Sequence, residues 1–109
     1  MSFSIILHAN FRREAKPLLK KFRSLGGELR ELSSSLKQNP EQGTPIGSSC
    51  YKIRIAIKSK GGGKSGGARV ITCVVAVREE VYLLSIYDKS EQSTLSDKRL
   101  KDLLKRIPQ

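Results

Sequence analysis

Tyr51-Lys52-Ile53-Arg54-Ile55-Ala56-Ile57-Lys58 alternates apolar and basic residues at the period of a β-strand. Tyr51, Ile53, Ile55 and Ile57 fall on one face, and Lys52, Arg54 and Lys58 on the other. A solvated helix carries such charge at little cost, whereas charge in a strand that also buries a core needs a reason. The stretch therefore predicts a sheet with one face in the core and the other forming a cationic platform. Beyond it, strands are predicted over roughly 68–78 and 80–88. Val70, Ile71, Val74, Val75 and Val77 make the first of these apolar on both faces, as suits a central strand.

Working toward the amino terminus, residues 40–49 are rich in Gly, Pro and Ser and read as a loop into the sheet. Before them, Leu25, Leu29, Leu32 and Leu36 recur at helical spacing up to Asn39-Pro40, and Gly26-Gly27 separates that stripe from an earlier one. The earlier stripe is Phe11, Ala15, Leu18, Leu19, Phe22 and Leu25, with Asn10 as its predicted N-cap and Arg12, Arg13, Lys16, Lys20, Lys21 and Arg23 largely outside it. Pro17 inside this basic amphipathic pattern predicts a kink, or a helix that properly begins near Lys16. Phe3, Ile5, Ile6 and Leu7 suit a short first strand. At the other end, Ser96 caps a last helix carrying Leu100, Leu103, Leu104 and Ile107 and stopped by Pro108.

The predicted order is βααβββα: an α+β fold in which an antiparallel sheet packs, as a single layer of helix on sheet, against a basic N-terminal helical hairpin. At 109 residues the chain is long enough for one domain, 1–109, with its own core. Its net charge of +11 implies an anionic partner, nucleic acid foremost and a membrane surface or an acidic protein less so. No segment approaches the roughly 18 apolar residues of a membrane span, so no membrane partner is expected. The first ten residues lack the charged start and cleavage site of a secretory signal, so the cytoplasm is the expected location. Cys50 and Cys73 fall on neighbouring strands, and in that compartment they read as reduced thiols.

The loop Lys60-Gly61-Gly62-Gly63-Lys64-Ser65-Gly66-Gly67 contains Gly-Lys-Ser but is not a phosphate loop. The pattern needs a glycine where Lys58 stands, and it must lead from strand to helix rather than from strand to strand. Two readings remain: a flexible hairpin connection, or a mobile cationic flap with Lys58, Lys60, Lys64 and Arg69 around it that closes on a phosphodiester backbone. His8 is the only histidine, in the first strand and far in sequence from any carboxylate cluster. It reads as an edge or core side chain, which leaves metal ligation and histidine-assisted nucleophiles without support. No cofactor is expected.

The runs Cys50-Tyr51-Lys52-Ile53-Arg54, Gly63-Lys64-Ser65-Gly66-Gly67-Ala68-Arg69-Val70-Ile71 and Tyr82-Leu83-Leu84-Ser85-Ile86-Tyr87-Asp88-Lys89-Ser90-Glu91, followed by a leucine-bearing helix, resemble the RelE/ParE superfamily of type II toxin-antitoxin toxins, in particular its RelE/HigB-like branch. The resemblance covers the whole chain. It implies a toxin that cuts mRNA, usually at the ribosome, inhibits translation, and is held inactive by a cognate antitoxin. On matching positions, Lys52 and Arg54 resemble the family's basic pair, Arg69 its arginine at the start of the next strand, and Lys89 its basic residue after the last strand. Several RelE members also use a tyrosine near the start of the last helix. Here that region reads Thr94-Leu95-Ser96-Asp97, and Tyr87 is the substitute to consider.

The residues fit that chemistry. Metal-independent RNA cleavage needs a base for the 2′-OH, cations for the charge on the phosphorane, and an acid for the leaving 5′ oxygen. Crowded cations disfavour one another's charged form, which makes Lys52 the general-base candidate. Arg54 and Arg69 are then phosphate clamps, and Lys89 or Tyr87 the acid. Lys58, Lys60, Lys64 and Glu91 complete the RNA-contacting set, with Glu91 also an alternative base. Two other readings stay open: a ParE-like poison of a topoisomerase, and a nucleic-acid-binding module without catalysis.

Overall fold

The computed structural model describes residues 2–107. Strands Ser4–Leu7 (β1), Thr44–Gly47 (β2), Cys50–Ile55 (β3), Ala68–Val75 (β4) and Glu80–Asp88 (β5) form one sheet in the order β1-β5-β4-β3-β2. Apart from the parallel β1–β5 edge, every pairing is antiparallel. Helices Ala9–Lys21 (α1), Leu25–Gln38 (α2) and Asp97–Leu104 (α3) complete an α+β fold.

The order βααββββα has one strand more than the sequence pattern predicts. Residues 44–47 read as loop because they contain Pro45 and Gly47, yet they pair with β3 as a short, bulged edge strand. An edge is the one place in a sheet where proline deprives no neighbour of a donor. β3 also stops at Ile55 rather than at Lys58, because the start of α2 captures the chain. The Lys58 backbone N–H donates to Glu28 Oε2 at 2.7 Å and that of Ser59 to Ser24 Oγ at 2.9 Å. β4 stops at Val75 rather than at residue 78, where Ala76–Arg78 form a 3-10 turn and Glu79 adopts a left-handed φ of 53°.

α1 is continuous from Ala9 to Lys21 through Pro17 and does not start near Lys16. Pro17 and Arg13, whose carbonyl loses its donor, are both exposed, so solvent can satisfy the freed oxygen. The N-cap is His8 rather than Asn10: His8 Nδ1 accepts the Asn10 backbone N–H at 3.0 Å. Ser96 caps α3 as predicted, its hydroxyl oxygen accepting from the Arg99 N–H. Pro108, expected to stop that helix, lies outside the described residues.

The main core joins Phe11, Ala15 and Leu18 of α1 and Leu25, Leu32 and Leu36 of α2 to Ile53, Ile55, Val70 and Leu83 of the sheet. The expected single layer is incomplete, however. Leu100, Leu103 and Ile107 form an apolar stripe on and just after α3, and they cover Cys50, Ile71, Cys73, Tyr82 and Leu84 on the opposite face. The sheet is thus sandwiched at that end, and Tyr87 belongs to the same cluster.

Candidate functional site

The cationic part of that sheet face is organised by register. Arg54 on β3 pairs with Arg69 on β4, and Arg69 pairs with Tyr87 on β5. Adjacent strands stand about 4.8 Å apart, so the three side chains form one row across the face. Lys52 lies two residues from Arg54 on the same side. Beyond β5, the Lys89 N–H donates to Gly67 O at 3.0 Å. The ladder therefore continues by one backbone bond into the turn that Lys89 begins. Lys52, Arg54, Arg69 and Tyr87 share one face, with Lys89 at the end of the row.

They differ in accessibility. Arg54 is exposed, Lys52 and Lys89 are half-buried, and Arg69 and Tyr87 are buried. Arg69, 4% exposed, donates through Nη1 to the carbonyls of Lys64 (2.8 Å) and Ala68 (3.1 Å). It therefore latches the glycine loop, whose Lys64–Gly66 segment is a 3-10 turn with exposed Lys64 at its head. Tyr87 Oη is buried with no hydrogen-bond partner among the described residues. Burial pushes its phenol above the usual value, opposed by the Arg69 charge and by the nearby Thr94 side chain. A phenol so placed keeps its proton at neutral pH and stands on the strand beside Arg69.

The remaining predicted residues lie elsewhere. Lys60 donates to Asp88 Oδ1 at 2.5 Å and to Ser90 Oγ at 3.1 Å, and its ammonium sits 5.7 Å from the Phe22 ring centre. Glu91 pairs with Lys21 of α1 at 3.2 Å. Both are turned to the helix side of the sheet. Lys58 is exposed beside the start of α2. Burial, the largest influence on Asp88, pushes its carboxyl up. Lys60 and the two Ser90 donors outweigh that and hold it below the usual range.

Two features escaped the sequence pattern. The first is a polar knot joining α1, β5 and α3. The Asn10 amide, fully buried, donates to Glu14 Oε1 (2.8 Å) and Leu84 O (3.0 Å) and accepts from Arg99 (2.6 Å) and from Arg13. Glu14 in turn accepts from the Ser85 hydroxyl at 2.6 Å. His8 beside this knot is held below its usual pKa by burial first and then by the Arg106, Arg99 and Arg13 charges, against an opposing Leu103 carbonyl. The second is a groove of about 990 Å³ between α1 and α2, floored by Phe11, Ala15, Leu29 and Leu83 and rimmed by Arg12, Lys16, Lys20, Arg30 and Lys37. Leu7 and Leu19, 39% and 42% exposed, line it. Leu19, placed on the buried stripe by the sequence pattern, instead lies at its margin, 42% exposed. Among the described residues no group of three or more His, Cys, Asp or Glu could hold a metal ion, and no helix is long and apolar enough to cross a membrane.

No family model matches the chain. Among solved structures, it is similar to an arginine-to-alanine double mutant of the E. coli toxin RelE in the free state, with a TM-score of 0.65 at 17% identity, over 99% of this chain and 100% of the other. It is also similar to that mutant in complex with an antitoxin RelBc peptide, with a TM-score of 0.53 at 19% identity and the same coverage. At such identity the likeness is one of backbone path, and on that ground the chain has the RelE fold.

Proposed function

We propose that the chain is the toxin of a type II toxin-antitoxin pair and acts as a metal-independent endoribonuclease on mRNA at the ribosome, inhibiting translation. The observation that carries this reading is the cross-strand row Arg54, Arg69 and Tyr87 with Lys52 beside it, on the sheet face whose other end α3 covers. Arg54 meets the scissile phosphate from the open side, where its charge stabilises the phosphorane. Lys52 takes the 2′-OH proton, and Tyr87 or Lys89 returns one to the 5′ oxygen. Arg69 supports the row from beneath by fixing the loop that brings Lys64 to its edge.

The proposed antitoxin is an acidic chain. It has two cationic surfaces to occupy: the row itself and the groove between α1 and α2, whose apolar floor and basic rim suit an amphipathic segment with carboxylates at its margins. Expression of the chain in cells tests the toxin reading. Growth arrest with new mRNA 5′ ends inside translated regions supports it, and growth should resume with Arg54→Ala. Arrest with intact mRNA refutes the nuclease reading and favours a topoisomerase or another target. Arg54 is the residue to change because it is exposed, whereas loss of Arg69 also releases the loop.

A further inference from the structure

Cys50 on β3 and Cys73 on β4 are direct cross-strand partners and free thiols, 1% and 6% exposed. The Val74 N–H donates to Ser49 O at 2.9 Å, so residues 49 and 74 are the hydrogen-bonded pair and the two cysteines the non-hydrogen-bonded pair next to it. In such a pair the Cα atoms approach to about 4.5 Å with both side chains on one face. That lies within the roughly 4.4–6.8 Å span over which a disulfide closes without backbone movement. The sulfurs also converge on one acceptor, Cys50 Sγ lying 3.4 Å and Cys73 Sγ 3.9 Å from Ser48 O. The Gly47–Ser49 turn is exposed, and its Ser48 and Ser49 are held at φ 55° and 60°. It joins β3 to an edge strand of four residues, the kind of element that opens locally at least cost.

We propose that Cys50 and Cys73 form a dithiol–disulfide modification site that a peroxide closes reversibly, stapling β3 to β4. The neighbouring Cys50 thiol holds Cys73 below its usual value, which favours Cys73 as the attacking sulfur; attack by Cys50 closes the same bond. The Cys73 thiolate attacks one peroxide oxygen, the O–O bond breaks, and a water leaves once protonated, giving a sulfenic acid. Cys50 Sγ then attacks Cys73 Sγ, the S–O bond breaks, and a second water leaves as the S–S bond forms. The two thiols together lose two electrons and two protons, and the peroxide gains both. The ring so closed contains Lys52, Arg54, the whole glycine loop and Arg69. This site rests on strand register alone and stands whether or not the chain cleaves RNA.

The test treats the reduced, folded full chain with stoichiometric hydrogen peroxide, digests it without reductant, and maps linked peptides by mass spectrometry beside a melting curve. The expected result is an intramolecular Cys50–Cys73 peptide, removed by dithiothreitol, with the Tm raised by roughly 10 °C. Cys50→Ala and Cys73→Ala should each show neither change. The decisive species is wild type, so a poorly folding variant does not spoil the test. Sulfinic or sulfonic products without linkage, intermolecular dimers, or a link that forms only in denaturant all overturn the proposal. A link that leaves the Tm unchanged or lowers it overturns the staple.

Discussion

Gly67 is where the loop, the row and the core meet, and replacing it by alanine puts a calculable strain on the site. A Cβ there would stand 2.0 Å from the Ile55 carbonyl oxygen and 3.0 Å from Ala56 Cα. Both are backbone atoms, so no side chain can swing aside. To restore van der Waals contact the end of β3 must retreat by more than about 1 Å, at the rung where Ile55 pairs with Ala68. Gly67 O also accepts from Lys89, so the shift disturbs both neighbours of β4 at once. Overpacking that moves backbone costs about 3 kcal/mol, which in a domain of this size lowers the Tm by roughly 10–20 °C. Gly61→Ala is the control. It has a φ of +83° but nothing within 4 Å of its Cβ, so it carries only the left-handed backbone strain, about 1 kcal/mol. Urea and thermal unfolding of both variants, followed by circular dichroism, measure the difference. A Gly67→Ala variant within about 0.5 kcal/mol of wild type, or one no worse than Gly61→Ala, refutes the packing argument.

Asp88→Asn leaves the Lys60 ammonium facing an amide. Lys60 keeps some solvent contact, so the loss should be about 2 kcal/mol, below that of a fully buried pair. Because the Asp88 pKa is lowered on folding, its contribution is complete above the unfolded value near 3.9 and is lost as pH falls through the folded one. Acid unfolding of the variant should accordingly show a shallower pH slope there than wild type. His8 is also lowered, from 6.5, so the unfolded chain binds the extra proton first. Stability should fall as pH drops below about 6.5 and level off below the folded pKa. His8→Gln should flatten that part of the curve, and a wild-type Tm independent of pH there contradicts the assignment. Tyr87→Phe removes a buried hydroxyl with no hydrogen-bond partner among the described residues and should leave the Tm equal to or above wild type, while cleavage falls by about 100-fold if the phenol is the acid. Equal loss of stability and activity would mark Tyr87 as structural.

Most of the sheet was legible in the sequence because β3, β4 and β5 alternate or run apolar in ways that only strands reward. Register was not. That Arg54 stands opposite Arg69, and Arg69 opposite Tyr87, depends on where the glycine loop closes and on the β4–β5 bulge between Ile71 and Thr72, and neither leaves a period-2 signal. Lys60 and Glu91 lie away from the row for a related reason. Side chains beyond a strand's end follow the loop, and Lys60 follows a turn that carries it to Asp88 on the helix side. β2 was hidden by Pro45 and Gly47, residues that argue against a strand except at an edge. Asn10 looked like a cap because its type caps helices; the preceding His8 fills that role with Nδ1 and frees Asn10 for the polar knot.

The most direct test of the central claim is cleavage of a defined mRNA on programmed ribosomes by the purified chain, with 5′ ends mapped beside those made by a folded Lys52→Ala/Arg54→Ala variant. The account predicts new ends within the translated region for wild type and a loss of at least about 100-fold in the variant. Intact mRNA with wild type, or equal cleavage by the variant, contradicts it.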